Sequence, residues 1–424
     1  MPDAVLVELC DLCIRATRGG ETVYAEPGMA LLLAGQPPVL GSAALQALRQ
    51  QPGRVHSRFW QELDTRPIPI KKAGVRHSAD LVWHQLADIK AAAGGAPFVF
   101  CVPSHLSHEQ LELLAGICRS LDIEVQAILN LGLAQMAAQP PGESLCHVDL
   151  QLHQTVISRY EYAHDPHEQG QGQLALRSHE VLLSHGFLRL VDRLLQGLSE
   201  RFIQSSRFDP LHSGGTEQQL FDQVRKVLDG QSLAAFTVDS GAASHSLDMN
   251  QADIEATVDG FVNDLLGKVS ARYTVLAPAF APLPGVQKKA QPSTYQIIDG
   301  AAAAAGAAAL LADLEPGAGT AYISQTTLGP PANSTPPPTA PAAESPPLAN
   351  ALVHRGLVYA AANFSKAQDL AAEFAAIQFA ADGICVTGPD FRVNGQPADR
   401  AKPLVAGDRL EVAGHALLAV RLME

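Results

Sequence analysis

The sequence predicts an α/β protein that is followed, after a proline-rich linker, by a small all-β domain. Short runs rich in Val, Ile, Leu and Phe alternate with longer segments whose apolar residues recur at helical spacing, a mixture typical of α/β architectures. Nine of the 29 prolines fall between Pro316 and Pro347. We therefore assign residues 1–314 to the α/β unit, 315–348 to a linker and 349–424 to the β domain.

Composition and charge exclude several classes of protein. The chain has 424 residues, of which 47% are hydrophobic and 17% charged, so more than one globular unit is expected. Its 30 Lys and Arg against 43 Asp and Glu leave a net charge of -13, which disfavours binding to nucleic acid or to anionic lipid. The first ten residues do not resemble a secretory signal. The longest apolar run, 301–312, is shorter than the ~18–20 residues of a membrane span, so we expect a cytoplasmic protein without membrane insertion.

The strands of the α/β unit are predicted from short β-branched and aromatic runs, each bounded by polar or turn-forming residues. These runs are 4–9, 12–17, 97–102, 145–150, 154–162, 235–240 and 273–277.

The helices between these runs are predicted from amphipathic stripes and from one capping signal. Ser107 and Gln110 have the spacing of a capping box, in which each side chain binds the backbone N–H of the other residue. A second apolar stripe runs from Phe187 to Phe202, and a third lies within 254–269.

The segment after the linker predicts short strands joined by tight turns. Turn signals occur at Ala381-Asp382-Gly383, at Val393-Asn394-Gly395 and at Ala406-Gly407-Asp408.

Several stretches of the α/β unit occur in the order found in one known family. Residues 102–110 give a strand ending in Val-Pro and a helix that opens with a Gln, and residues 273–287 match an adenosine-loop pattern. Gly306-Ala307-Ala308 then matches the second of two connecting helices. Over residues 3–312 the chain resembles the nucleotide-binding domain of the seventy-kilodalton heat-shock chaperones, members of the actin-like ATPase superfamily. The resemblance implies a two-lobed actin-like fold with a nucleotide cleft.

The residues that would contact ATP and Mg²⁺ depart from this pattern. The family has an Asp and glycines on each of two phosphate-binding hairpins, because glycine lets backbone N–H groups approach the oxygens. Here Glu8 stands at the first Asp position, and Asp149 keeps the second. Gln151 opens a triplet that replaces glycines, and Pro278 and Ala279 replace two glycines of the adenosine loop. These five are the candidate nucleotide-cleft residues. Each lost charge-assisted contact forfeits about 1.5–3 kcal/mol.

The resemblance and its departures together predict a chaperone-like pseudo-ATPase that acts as an interaction or assembly protein. We assign it no catalytic residue, no metal ligand and no cofactor, and expect a protein partner. One alternative is an active ATP-binding chaperone-like or actin-like ATPase. For Asp149, the simpler interpretation is a strand-end carboxylate that caps the neighbouring turn. Cys10 and Cys13 are interpreted as strand thiols, because no second Cys or His pair follows at a zinc-binding spacing.

The C-terminal segment resembles a forkhead-associated (FHA) domain. Residues 391–395 and 404–410 match the closing strands of that family, which read phosphothreonine through Arg, Ser and His. No Gly-Arg followed by Ser-x-x-His is present, and residues 375–377 occupy the place of a His-Ala-Arg stretch. The resemblance implies an FHA-like scaffold, with a phosphopeptide-binding adaptor as a further alternative.

Overall fold

The chain divides into two compact units, Met1–Pro331 and Ala332–Glu424, and the division falls inside the predicted linker. The structure is a computed structural model. It describes residues 4–72, 75–137, 144–164, 172–241, 243–269, 271, 273–290, 295–312, 322–328, 351–354, 357–360, 377–380, 383–386, 391–393, 396–397, 402–404, 408–412 and 415–420.

The first unit is a mixed α/β structure, which confirms the predicted class. Its strands are β1 (Val5–Glu8), β2 (Ile14–Arg18), β3 (Glu21–Glu26), β4 (Ala30–Leu31), β5 (Val39–Leu40), β6 (Val55–His56), β7 (Pro67–Lys72), β8 (Val75–His77), β9 (Phe98–Val102), β10 (Val125–Asn130), β11 (Ser144–Leu150), β12 (Thr155–His164), β13 (Gly172–Leu182), β14 (Ala235–Asp239), β15 (Ser244–Asp248), β16 (Tyr273–Leu276), β17 (Gln296–Ile297), β18 (Tyr322–Ile323) and β19 (Gln325–Leu328). Its helices are α1 (Ser42–Leu45), α2 (Ser78–Ala93), α3 (His108–Ser120), α4 (Leu131–Met136), α5 (Phe187–Ser206), α6 (Gly214–Leu228), α7 (Gln251–Leu266), α8 (Val286–Lys289) and α9 (Ala302–Ala312).

Two six-stranded sheets share the order of their first five strands, 5-4-1-2-3 when the strands of each sheet are numbered along the chain, and carry the sixth strand at opposite edges. The first is ordered β18-β10-β9-β1-β2-β3 and the second β17-β16-β11-β12-β13-β19. In each sheet the strand that comes first in the chain, β1 or β11, pairs antiparallel with the next strand along the chain. On its other side it pairs parallel with a strand that arrives after a helix, β9 or β16. Both central strands are therefore the place where the sheet changes from antiparallel to parallel pairing.

Part of the predicted linker is built into these sheets. Tyr322–Ile323 pairs parallel with β10, and Gln325–Leu328 pairs antiparallel with β13. The predicted linker of residues 315–348 thus differs from the structure at 322–328, where Tyr, Ile and Thr residues, which favour strands, pair with open edges of the two sheets. The other residues of 315–348 lie outside the described residues.

The helices pack in layers on the two sheets. Side chains of α2 and α3 share a buried cluster with β1 and β9, and those of α5, α6 and α7 share another with β11. A third cluster lies between the sheets and includes α4 and α9. The predicted capping box is confirmed: the Gln110 backbone N–H donates to Ser107 Oγ at 3.3 Å, and the Ser107 N–H donates to Gln110 Oε1 at 3.0 Å.

Helices α4 and α9 cross at a glycine. A Cβ added to Gly306 would lie 1.7 Å from the carbonyl oxygen of Ala134, far inside van der Waals contact. Only glycine allows the two backbones to approach this closely. The crossing sets the position of α4, which carries residues of the site described below.

Every element described in the second unit is a strand. These are β20 (Ala351–His354), β21 (Leu357–Ala360), β22 (Ile377–Ala380), β23 (Gly383–Val386), β24 (Phe391–Val393), β25 (Gln396–Pro397), β26 (Lys402–Pro403), β27 (Arg409–Val412) and β28 (His415–Val420). They form sheets of order β21-β20-β28-β27-β24-β25 and β22-β23-β26. Of the predicted turns, residues 381–382, 394–395 and 406–407 lie outside the described residues, as do residues 375–376.

Within the described part of the chain, no helix combines the length and the apolar character needed to cross a bilayer.

Candidate functional site

The candidate site is a cleft of about 430 Å³ at the carboxyl ends of the two central strands. Ligands of sheets with parallel strands commonly bind at such ends, where the strand order changes direction. The walls come from β1 and the turn after it, from α4, from β11 and from residues 277–283. This volume lies within the range of pockets that bind small molecules.

The cleft brings together four of the five residues predicted from the sequence. Glu8, Asp149, Pro278 and Ala279 all line it. The fifth, Gln151, is buried beside the cleft, where its Nε2 donates to Asp149 Oδ2 at 2.9 Å. Gln151 therefore acts on the cleft through Asp149.

Two of the three lining carboxyl groups, those of Asp149 and Glu8, are in a buried environment that disfavours their charge. Burial raises the pKa of Asp149 to about 6, partly offset by hydrogen bonds from Gln151 and Cys10. Burial also raises the pKa of Glu8, while the nearby charge of Arg15 acts in the opposite direction. Both groups accept protons far more readily than a solvated carboxylate does.

Asp11 is a third buried carboxyl group, which sequence reasoning missed. Its Oδ1 accepts a hydrogen bond of 2.8 Å from the backbone N–H of Leu152, so it joins the turn after β1 to the turn after β11. Its Oδ2 is buried without a hydrogen-bond partner among the described residues. Burial raises the pKa of Asp11 to about 7, and the charge of Asp149 acts in the same direction. The only sequence signal was an Asp in a predicted hairpin turn.

A chain of buried polar groups extends from Glu8 into α4 and β11. Gln135 Nε2 lies 3.5 Å from Glu8 Oε2, and Gln135 Oε1 lies 2.7 Å from His147 Nε2. Burial lowers the pKa of His147 to about 4, so its ring is neutral near pH 7. The neutral ring donates to Gln135, which orients the amide towards Glu8.

Two thiols and two cations complete the cleft surface. Cys10 and Cys13 are free, and burial raises the pKa of both. Arg15 Nη1 donates to the carbonyl of Gly300 at 3.3 Å. Arg225 lies 3.5 Å from Asp229. The lining thus holds three carboxyl groups, Glu8, Asp149 and Asp229, against two cations, and Glu8 and Asp149 are the more deeply buried of the three.

The turns that face the cleft use their backbone N–H groups inside the protein. The Gln151 N–H donates to the Gln154 carbonyl at 2.9 Å, and the Leu152 N–H donates to Asp11. In the first hairpin the Cys13 N–H donates to the Cys10 carbonyl at 2.9 Å. A phosphate group would have to displace these bonds before it could use the same donors.

The described residues contain no group of three or more His, Cys, Asp or Glu side chains arranged to hold a metal ion. Comparison with known protein families finds no family model that matches this sequence, and comparison with curated proteins finds no significant match.

Proposed function

We propose that the first unit is an actin-like, heat-shock-chaperone-like pseudo-ATPase that works as an interaction or assembly protein. The order of five strands that the two sheets share supports a duplicated, two-lobed actin-like fold. The equivalent positions of α4 and α9, each of which follows the fifth strand of its sheet in chain order, support it as well. The cleft then corresponds to the nucleotide cleft of that superfamily.

The main support for a loss of ATPase function is that backbone N–H groups in the turns after β1 and β11 donate hydrogen bonds within the protein. The N–H groups of Cys13, Gln151 and Leu152 already have acceptors within the protein. Side chains occupy the positions where a glycine-rich turn would leave room for phosphate. Binding a triphosphate here would break internal hydrogen bonds, each worth about 1 kcal/mol, to form new ones.

The charges of the cleft also fit Mg-ATP poorly. Asp149 Oδ2 is engaged by Gln151, and the pKa of Asp149 is raised to about 6, so its affinity for protons competes with metal binding. Each of the two cations, Arg15 and Arg225, is held by a neighbour within the protein. The residues present therefore do not fit the metal–nucleotide complex, and we derive no catalytic step through it.

A set of contacts that Arg49 makes with two helices of the first unit supports a static role. Arg49 Nη2 lies 2.6 Å from Asp192 and its Nη1 lies 3.2 Å from Glu217, while its backbone N–H donates to Gln218 at 2.7 Å. The guanidinium also lies 4.9 Å from the centre of the Phe221 ring. These contacts join the segment after α1 to α5 and α6 without a ligand, as suits a scaffold.

Isothermal titration calorimetry with Mg-ATP tests this proposal. We expect no saturable heat below a Kd of about 1 mM, and the same result for Asp149→Ala. Steady-state hydrolysis should equal the buffer rate for both proteins. Micromolar binding together with hydrolysis that Asp149→Ala removes would overturn the proposal.

An active ATPase is the second candidate, because Glu8 and Asp149 lie at the ends of equivalent strands and line one cleft of suitable volume. It predicts that Mg-ATP raises the melting temperature of the parent protein and that Asp149→Ala abolishes the shift. A parent protein whose melting temperature does not respond to nucleotide would eliminate this candidate.

A further inference from the structure

A second cavity of the first unit, of about 440 Å³, is separate from the cleft in its lining. We call it the arginine groove. The turn after β11, which carries Leu152 and His153, contributes to it, as do the residues after β6 and the start of α5. Its lining includes Leu48, Ser57, Arg58, His153, Leu183 and Arg189.

The groove contains more cations than its own carboxylates pair with. Its two carboxylates, Asp192 and Glu217, both pair with Arg49. Arg58 and Arg189 are exposed, and neither has a carboxylate within 4.0 Å among the described residues. Arg58 Nη1 donates only to the neutral amide oxygen of Gln61, at 3.1 Å. Two guanidinium groups in one cavity are thus left for an external anion.

A neutral polar pair lies on the same lining. His153 Nε2 and Ser57 Oγ are 2.8 Å apart. Burial lowers the pKa of His153 to about 4, and the charges of Arg58 and Arg189 add to this effect, so the ring is neutral near pH 7. The pair adds hydrogen-bonding capacity without adding charge.

An exposed leucine gives the groove an apolar element. Leu183 is 63% exposed, and it is among the few large apolar side chains that the described part of the chain leaves in water. The half-buried Leu48 lines the same groove. An occupant that covers Leu183 would remove apolar area from water, at about 25 cal/mol per Å².

We propose that the arginine groove binds an acidic segment of a partner protein, whose carboxylates contact Arg58 and Arg189 and whose aliphatic side chain covers Leu183. Arginine binds carboxylate in a planar, two-pronged geometry and is enriched at protein interfaces. The net charge of -13 does not prevent this, because at 0.15 M salt charges are screened beyond about 8 Å and the local cations dominate. The groove is a site apart from the cleft, so this inference holds whether or not the cleft binds ATP.

Selection of a displayed library of random twelve-residue peptides on the full chain tests the proposal. We expect enrichment of peptides that combine two or more Asp or Glu residues with Leu or Ile. Measured by fluorescence anisotropy, their affinity should fall at least about tenfold for Arg58→Glu/Arg189→Glu, and it should weaken as salt is raised from about 0.05 to 0.5 M. The matched control is Arg66→Glu, since Arg66 is 85% exposed and does not line the groove. Its affinity should stay within about twofold of the parent value.

Other outcomes contradict the proposal. Selected peptides without acidic residues, or acidic peptides that bind the double variant as well as the parent, would rule out the arginine groove. Selection of phosphorylated peptides alone from a matched phosphopeptide library, or competition by inorganic phosphate at about 1 mM, would make the groove a phosphate site instead. A melting temperature of the double variant within about 2 °C of the parent value shows that the fold is intact. Calorimetry with Mg-ATP reports on the cleft alone, so the two proposals can fail separately.

Discussion

The cleft and the arginine groove are two cavities of nearly equal volume that share one hairpin and differ in their charge. The β11–β12 hairpin gives Asp149 to the cleft and His153 to the groove. In the cleft the carboxyl groups of Glu8 and Asp149 are buried, and their pKa values are raised. In the groove the free charges are exposed arginines.

This difference indicates which cavity is available to a partner. A charge that is buried costs free energy already in the unbound protein, and its hydrogen-bonding capacity is used by neighbours. An exposed guanidinium keeps its charge and can exchange water for a ligand at low cost. The buried carboxyl groups of the cleft are therefore less available to a partner than the exposed arginines of the groove.

The largest effect is expected from a change at the crossing of α9 with α4, the helix that carries part of the cleft wall. Gly306→Ala would place a Cβ 1.7 Å from the carbonyl oxygen of Ala134, so α9 and α4 would have to separate. We expect a loss of about 3 kcal/mol or more in the free energy of unfolding, measured by urea denaturation. Because α4 carries Leu131 and Gln135 of the cleft wall and no groove residue, peptide binding to the groove should survive in the folded fraction.

The control for this change is Gly197→Ala, at an exposed helical glycine of α5 where an added Cβ meets no atom within 4 Å. It should raise stability by about 0.5–1 kcal/mol through helix propensity. Equal effects of the two substitutions would mean that the close crossing of α4 and α9 does not exist.

A second prediction concerns how much the buried carboxyl groups lower the free energy of unfolding when they are charged. The pKa of Asp11 is raised from 3.8 to about 7, so the folded protein binds more protons than the unfolded chain between about pH 4 and 7. Stability from this group must then fall as the pH rises through that window, by at most about 4 kcal/mol. Asp11→Asn keeps the acceptor for the Leu152 N–H and removes the charge. We expect it to stabilise the protein by about 2 kcal/mol at pH 8 and to have little effect at pH 4.

Urea denaturation at both pH values measures this, with Asp248→Asn, at an exposed strand-end carboxylate, as the control. The control should be within about 0.5 kcal/mol of the parent at either pH. If Asp11→Asn destabilises the protein at pH 8, the charged carboxylate makes a stabilising contact that its burial does not indicate. The contrast between costly buried carboxyl groups and freely exposed arginines would then be weaker.

The local features of the fold could be predicted from the sequence. The capping box at Ser107 and the apolar stripes of α5 and α7 depend on residues within a few positions of one another. The pairing of β18 with β10 could not be predicted, because the paired residues are almost 200 positions apart in the chain. Non-local pairing is decided by the edge that the rest of the sheet leaves open.

The same division applies to the sites. Glu8, Asp149, Pro278 and Ala279 were found because a resemblance assigned them to one cleft, and the structure brings them to one cavity. No resemblance or motif in the sequence pointed to the residues of the groove. Arg58 is one of 30 Lys and Arg residues in the sequence, and only its tertiary neighbours reveal that no carboxylate of the described residues pairs with it, while Arg49 has two such partners.

The substitution with the smallest predicted effect on stability, Arg49→Ala, alters the charge balance of the groove. Arg49→Ala removes two ion pairs and a contact with the Phe221 ring, which should cost about 1 kcal/mol in urea denaturation. Arg201→Ala, which breaks a single pair with Asp253, should cost less than about 0.5 kcal/mol. Loss of Arg49 also frees the carboxylates of Asp192 and Glu217 to pair with the arginines of the groove. An acidic peptide should then bind at least about fivefold more weakly by fluorescence anisotropy, whereas unchanged affinity would mean that the paired acids never limited the charge available to a ligand.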